Sequence, residues 1–76
     1  MRELLTYLAQ RLVDDPAAVR VDEVEREGVK VLELRVAKDD VGKVIGRQGR
    51  IARALRTVVR AGSARAHHPT RVEIVD

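Results

Sequence analysis

The sequence predicts an α+β domain in which three helices cover one face of a three-stranded sheet, in the order α-β-β-α-α-β. Three observations predict it: a helical apolar stripe near the N-terminus, a central segment of alternating apolar and polar residues, and two glycines that divide the basic second half into two helices. Three strands alone would expose an apolar face, which helices can cover. With 76 residues and neither a repeat nor a linker, we expect one domain over residues 1–76.

The first helix is predicted over residues 2–13. Apolar residues at helical spacing give it one apolar face, made of Leu4, Leu5, Leu8, Ala9 and Leu12. Asp14-Asp15-Pro16 ends this helix, because the residue before a proline is disfavoured in the helical conformation. A strand is predicted over residues 19–26, with a bulge at Val24, where the apolar alternation changes phase. Glu27-Gly28 is the predicted turn.

The second strand is predicted over residues 29–37, where alternation is clearest. One face of this strand carries Leu32, Leu34 and Val36, and the other carries Val29, Val31, Glu33 and Arg35. Asp39 or Asp40 then supplies the N-cap of a short helix that is interrupted by Gly42 and ends at Ile45.

After Gly49, a long helix is predicted over residues 50–62, followed by a loop over residues 62–69 and a last strand over residues 71–75. At 100° per residue the apolar stripe of the long helix contains Ile51, Leu55, Val58 and Gly62, and we expect this stripe to face the sheet. Arginines 50 and 53 lie near the preceding loop and could reach a phosphate. Arg56 and Arg60 lie further along the helix, and for these two we expect only a role in solubility.

Charge is distributed unevenly along the chain. Residues 1–37 carry 6 basic and 8 acidic side chains, and residues 38–76 carry 9 basic and 4 acidic ones. Between Val41 and Val72 there are eight basic residues and no acidic residue. Such a one-sided basic block is typical of proteins that bind a polyanion.

Composition excludes several classes of function. Tyr7 is the only aromatic residue, which argues against modules that stack bases on aromatic platforms. There is no cysteine, and no apolar run approaches the length of a membrane span. His67-His68 has no third ligand nearby in sequence, so a solvated loop is favoured over a metal site. We find no nucleophile or paired carboxylates in a catalytic setting and expect no enzyme activity, cofactor, metal or small-molecule substrate.

The most informative segment is Val44-Ile45-Gly46-Arg47-Gln48-Gly49-Arg50-Ile51. Two glycines bracket two polar residues, so a foreign backbone can approach closely and the chain can turn sharply. The free N–H groups at the start of the helix that follows suit a phosphate, and Arg47 and Arg50 add positive charge. The pattern indicates a clamp for a nucleic-acid backbone.

This segment, with a helix on either side, resembles the core motif of KH domains. The order of elements is similar to that of the bacterial type II arrangement, and the whole chain is similar to small stand-alone bacterial KH proteins of the KhpA type. The resemblance implies binding of single-stranded RNA, about four nucleotides per groove. The implied RNA-binding residues are Gly42, Lys43, Val44, Gly46, Arg47, Gln48, Gly49, Arg50 and Arg53. Bases would lie over Gly42, Val44 and part of Val36, whereas Ile45, Ile51 and Leu55 are expected in the core.

The same resemblance implies a cytoplasmic RNA chaperone or post-transcriptional regulator that forms a homodimer or pairs with a second, larger KH protein. Val59 and Ala61 are the residues that could lie exposed at such an interface, although the core edge explains them as well. Two other functions remain open: a protein–protein adaptor that pairs with a second KH protein, and a ribosome-associated assembly factor.

Overall fold

The computed structural model describes residues 1–64 and 69–75. Its helices and strands are α1 (Arg2–Leu12), β1 (Arg20–Arg26), β2 (Val29–Arg35), α2 (Val41–Ile45), α3 (Arg50–Ser63) and β3 (Thr70–Val75). The predicted fold class and order are therefore confirmed, with each boundary within two residues of its prediction. His67 and His68 lie outside the described residues. None of the helices in the described ranges is long and apolar enough to cross a bilayer.

The sheet has β2 at its centre. It pairs antiparallel with β1 and parallel with β3. The β1–β2 register runs without interruption from Arg20 opposite Arg35 to Arg26 opposite Val29, so the bulge predicted at Val24 is wrong. Val24 pairs with Val31 on the face away from the helices. The apolar alternation of β1 changes phase at Val24 because both faces of the sheet carry apolar residues.

Glu27 and Gly28 form the predicted two-residue turn between β1 and β2. Both have positive φ angles, 52° for Glu27 and 80° for Gly28. Two central residues with positive φ make a type I′ turn, whose twist matches that of the two strands. The tight turn holds β1 against β2 in a single register.

The helices cover one face of the sheet, as predicted. The core between the layers consists of Leu5, Ala9, Val19, Leu32, Leu34, Val44, Leu55, Val59 and Val72. The opposite face carries Val24, the buried Val31 and a set of ion pairs. The Arg26 guanidinium lies 2.8 Å from a carboxylate oxygen of Glu33 and 3.4 Å from one of Glu73.

Helix α3 buries a different stripe from the predicted one. Its buried residues are Ala52, Leu55, Val59 and Ser63. Val58, which we expected against the sheet, is 41% exposed. Val59, for which an exposed interface and the core edge were both open, is only 1% exposed and belongs to the core. Compared with the prediction, α3 is rotated about its axis by about one residue. Because Val58 and Val59 are adjacent, the apolar pattern of the sequence fits both rotations equally well.

Asp40 connects two segments that are distant in sequence. Its side chain is almost fully buried, and its Oδ2 accepts a hydrogen bond from the Asp15 backbone N–H at 3.0 Å. It occupies the predicted N-cap position of α2 but makes no side-chain capping bond there. Burial raises the pKa of this carboxyl, but the backbone N–H groups of Asp15 and Asp14 and the ammonium of Lys43 outweigh burial and hold the pKa below its ordinary value.

We predict that Asp40 makes stability depend on acid pH. Because its pKa is lowered on folding, the ionised carboxylate stabilises the fold above the ordinary value of 3.8, and this contribution is lost as the pH falls through the folded-state pKa. Urea unfolding of the parent chain and of Asp40→Asn, at pH 7 and at pH 3, measures the free energy of unfolding that the carboxylate contributes. The stability difference from the parent chain should be largest at pH 7 and shrink at pH 3. Asp39→Asn, an exposed neighbour, is the control. A difference for Asp40→Asn that is the same at both pH values would contradict the assignment.

Candidate nucleic-acid interface

The loop between α2 and α3 depends on the backbone of Gly46. This residue has φ 76° and ψ 172°, a combination available essentially only to glycine. Its N–H donates to the Gly42 carbonyl at 2.9 Å and closes α2, and its own carbonyl accepts from the Gly49 N–H at 3.1 Å. A β-carbon at Gly46 would overlap the side chain of Ile51. The close approach of the two helices therefore requires glycine here.

The next turn of the loop is left-handed. Gln48 has φ 58° and Gly49 has φ 74°, so two consecutive residues adopt a conformation that is uncommon outside glycine. Gly49 is the N-cap of α3 and has no side chain with which to cap the helix. No side chain therefore caps α3, and the Arg50 N–H donates to the Arg47 carbonyl instead. A phosphate could accept from the N–H groups that follow Arg50 in the first turn.

Three guanidinium groups surround this loop. Arg47 and Arg50 are exposed, and the Arg53 side chain reaches back to donate to the Gln48 carbonyl at 3.1 Å. Within residues 1–64 and 69–75, none of the three has a carboxylate partner. The structure thus brings the predicted loop residues and Arg53 together as one positively charged surface at the start of α3.

The predictions for α2 were wrong at two adjacent residues. Val44, assigned to the RNA-binding surface, is fully buried in the core, and Ile45, assigned to the core, is 38% exposed. Because successive helical residues differ by 100°, an inward Val44 directs Ile45 outward, on the side of Gly42 and Gly46. A β-carbon at Gly42 would meet open space. The aliphatic side chain available beside the loop is therefore that of Ile45.

Lys43 is held on the side of α2 that faces the end of α1. Its ammonium lies 3.2 Å from an Asp14 carboxylate oxygen and 3.6 Å from one of Asp40. The Asp14 carboxylate raises the pKa of Lys43 above its ordinary value, and Asp40 adds to the effect. The lysine is charged at neutral pH, but that charge is shared with two carboxylates and is less available to an outside anion than the charges of the loop arginines.

Comparison with known proteins identifies the family. A family profile described as "KhpA/KhpB, KH domain" matches residues 2–74. The chain belongs to the KhpA/KhpB KH-domain family. The RNA-binding protein KhpA of Treponema pallidum is 50% identical over 74 residues, which cover 97% of this chain and 92% of that protein. The RNA-binding protein KhpA of Clostridium acetobutylicum is 49% identical over 75 residues, which cover 99% of this chain and all of that protein.

A solved structure agrees on the fold. A crystal structure of a variant of Aquifex aeolicus Era bound to GDP·AlF4− matches 96% of this chain and 28% of the Era chain, with a TM-score of 0.67. The sequence identity is 18%, so the match concerns the fold alone. Of the predicted site residues, Val44 lies in the core and Lys43 is paired with Asp14, whereas the others lie in or beside the α2–α3 loop. Sequence reasoning placed Ile45 in the core, and the structure places it at the surface beside the loop.

We predict that Gly46→Ala destabilises the protein, whereas Gly42→Ala does not. Alanine at residue 46 would adopt a glycine-only conformation and overlap Ile51, which costs roughly 1–3 kcal/mol or more. Alanine at residue 42 meets open space in a helix and should leave stability unchanged or raise it by up to about 1 kcal/mol. Urea titrations followed by circular dichroism measure both. Equal stabilities for the two variants would show that the loop does not require glycine at residue 46.

Proposed function

We propose that this chain binds single-stranded RNA and clamps the sugar–phosphate backbone at the loop from Gly46 to Gly49. The observation that carries the proposal is the glycine loop at the uncapped start of α3, surrounded by three arginines that have no carboxylate partner within residues 1–64 and 69–75. The relatives named RNA-binding proteins support it, because they match nearly the whole chain.

In this proposal the phosphates lie against the loop and the first turn of α3, while bases rest over Gly42 and Ile45. Helix N-termini and arginine guanidinium groups both bind phosphate oxygens, and glycine lets the RNA backbone approach closely. Lys43 joins the site only if its ammonium leaves Asp14. Acting on transcripts in the cytoplasm, such a module serves as an RNA chaperone or post-transcriptional regulator and needs no catalytic group.

The decisive test replaces the two polar loop residues with aspartate. Arg47→Asp/Gln48→Asp puts two negative charges in the phosphate path, and both positions are exposed. Aspartate tolerates the left-handed conformation at residue 48, so the variant should fold. For single strands, log affinity falls with log salt by about 0.7 per neutralised phosphate, so the parent should show a slope of roughly 2–3 and the variant should lose binding.

A matched control separates a local clamp from a general charge effect. Arg2→Asp/Gln10→Asp makes the same two side-chain changes at exposed positions of α1. Fluorescence anisotropy with a short single-stranded RNA, at two salt concentrations, compares the parent, loop and control proteins. An equal loss of RNA affinity in both variants, or unchanged RNA affinity in the folded loop variant, would contradict the proposed clamp.

We also propose that two copies of this chain associate through an apolar seam between α1 and α3. A cleft of about 270 Å³ lies there, lined by Leu8, Arg11, Leu12, Ile51, Ala54, Leu55 and Val58. Leu12 and Val58 are 36% and 41% exposed, and Arg11 is the single charged residue of the seam. A second seam of the same kind would cover these side chains, and two joined grooves would gain RNA affinity through effective concentration.

We predict that Val58→Glu prevents self-association and leaves the fold intact, because the side chain is largely exposed and a charge in an apolar contact is costly. Sedimentation equilibrium over a range of concentrations measures the effect. Thr57→Glu, an exposed neighbour outside the seam, is the control and should not change the association constant. Association that survives Val58→Glu, or a parent chain that stays monomeric, would count against the seam as an interface between copies.

A further inference from the structure

The two edges of the sheet differ in what occupies them. Strands β1 and β3 are the edge strands, because β2 lies between them. At β3, the Nε of Arg56 donates to the Val72 carbonyl at 3.5 Å, so a side chain already occupies a backbone acceptor there. At β1, within the described ranges, the backbone of residues 21–26 forms hydrogen bonds to β2 and to no other segment. The outer edge of β1 is therefore open to a further strand.

The backbone of β1 has the regularity that pairing with another strand requires. Its seven residues face β2 in one register from Arg20 to Arg26, without a bulge or a proline. In an antiparallel sheet, alternate residues of an edge strand direct their N–H and C=O groups away from the sheet. Such a row of unpaired groups is a template for another strand, and the side chains beside it decide which strands can use it.

Acidic side chains are concentrated at this edge. Four of the eight acidic residues in residues 1–37 lie in β1 or in its turn to β2, and all four are exposed: Asp22, Glu23, Glu25 and Glu27. Glu23 and Glu25 are two residues apart and therefore project from the same face of the strand. The Lys30 ammonium lies 3.9 Å from a Glu23 carboxylate oxygen, whereas Glu25 has no ion pair within the described residues. The sheet thus neutralises the negative charge of this edge only in part.

These carboxylates disfavour pairing of β1 with a second copy of itself. Side chains directly opposite each other in an antiparallel pair lie about 5 Å apart, and like charges there are destabilising. Every two-fold antiparallel register that pairs five or more residues of β1 with those of its copy places two of the carboxylates of Asp22, Glu23 and Glu25 opposite each other. A strand that fits this edge therefore carries positive rather than negative side chains.

We propose that the outer edge of β1 binds an extended segment of a partner protein in which an apolar residue stands between two basic residues. The segment adds a fourth strand to the sheet through backbone hydrogen bonds to β1. Its two cations lie opposite Glu23 and Glu25 on one face, and its apolar residue lies opposite the half-buried Val24 on the other. Because Val24 already pairs with Val31 of β2, the apolar residue extends an existing row. This surface does not include the glycine loop, so it does not depend on the proposed binding of RNA.

The test uses a six-residue peptide with blocked ends, Thr-Lys-Val-Lys-Val-Thr, and the whole chain. Heteronuclear NMR spectra and amide hydrogen exchange are recorded with and without the peptide. Binding should shift the amide resonances of β1 and slow the exchange of alternate β1 amides, because these amides become donors to the peptide. Glu23→Gln/Glu25→Gln removes both carboxylates at exposed positions, so the variant should fold and bind the peptide roughly 3- to 10-fold more weakly.

Two controls separate strand addition from attraction between charges. Glu3→Gln/Asp39→Asn removes two exposed carboxylates elsewhere and should leave the peptide affinity unchanged. The same peptide methylated at its interior amide nitrogens keeps its charge but cannot pair with a strand, and it should not bind. Equal binding of the methylated peptide, equal affinity in the parent and in Glu23→Gln/Glu25→Gln, or slowed exchange at β3 instead of β1 would overturn the proposal. Unchanged β1 resonances at millimolar peptide would overturn it as well.

Discussion

The close approach of Gly46 to Ile51 is the constraint on which the rest of the site depends. Because there is no room for a β-carbon, α2 and α3 meet across a very short connection whose backbone conformation only glycine adopts. The two helices are then anchored separately, α2 through the buried Val44 and α3 through Ala52 and Leu55. A loop held between two anchored helices presents its N–H groups in a fixed arrangement, so little ordering is needed when an anion binds.

The charges of the chain are sorted by the fold as well as by the sequence. Carboxylates of the first half pair with cations on the open face of the sheet, where Arg26 and Arg35 contact Glu33, and at α2, where Lys43 contacts Asp14. Exposed pairs of this kind add little stability. Their main effect is electrostatic, since they neutralise one part of the surface and leave the arginines of α3, in the described ranges, without such partners. The positive potential is thereby concentrated on the loop and on the side of α3 next to β3.

Sequence patterns predicted the elements well where periodicity extended over several residues. The alternation of β2 and the helical stripe of α1 each offer one consistent phase, and both elements lie where they were expected. The patterns failed where two adjacent aliphatic residues left the phase open. Val44-Ile45 and Val58-Val59 each contain one buried and one exposed member, and in each pair we chose the wrong one. A five-residue helix such as α2 contains too few turns for its own pattern to decide which side faces the core.

By itself, the sequence determined the order of the elements, the position of the glycine loop and the asymmetry of charge, because these follow from local spacing and composition. The tertiary structure alone decided which aliphatic residue of each pair reaches the core, and which cations are paired. Those outcomes depend on contacts between segments far apart in the chain. The Asp40 carboxylate, for example, accepts a hydrogen bond from an amide 25 residues away, and such a partner has no signature in the residues around it.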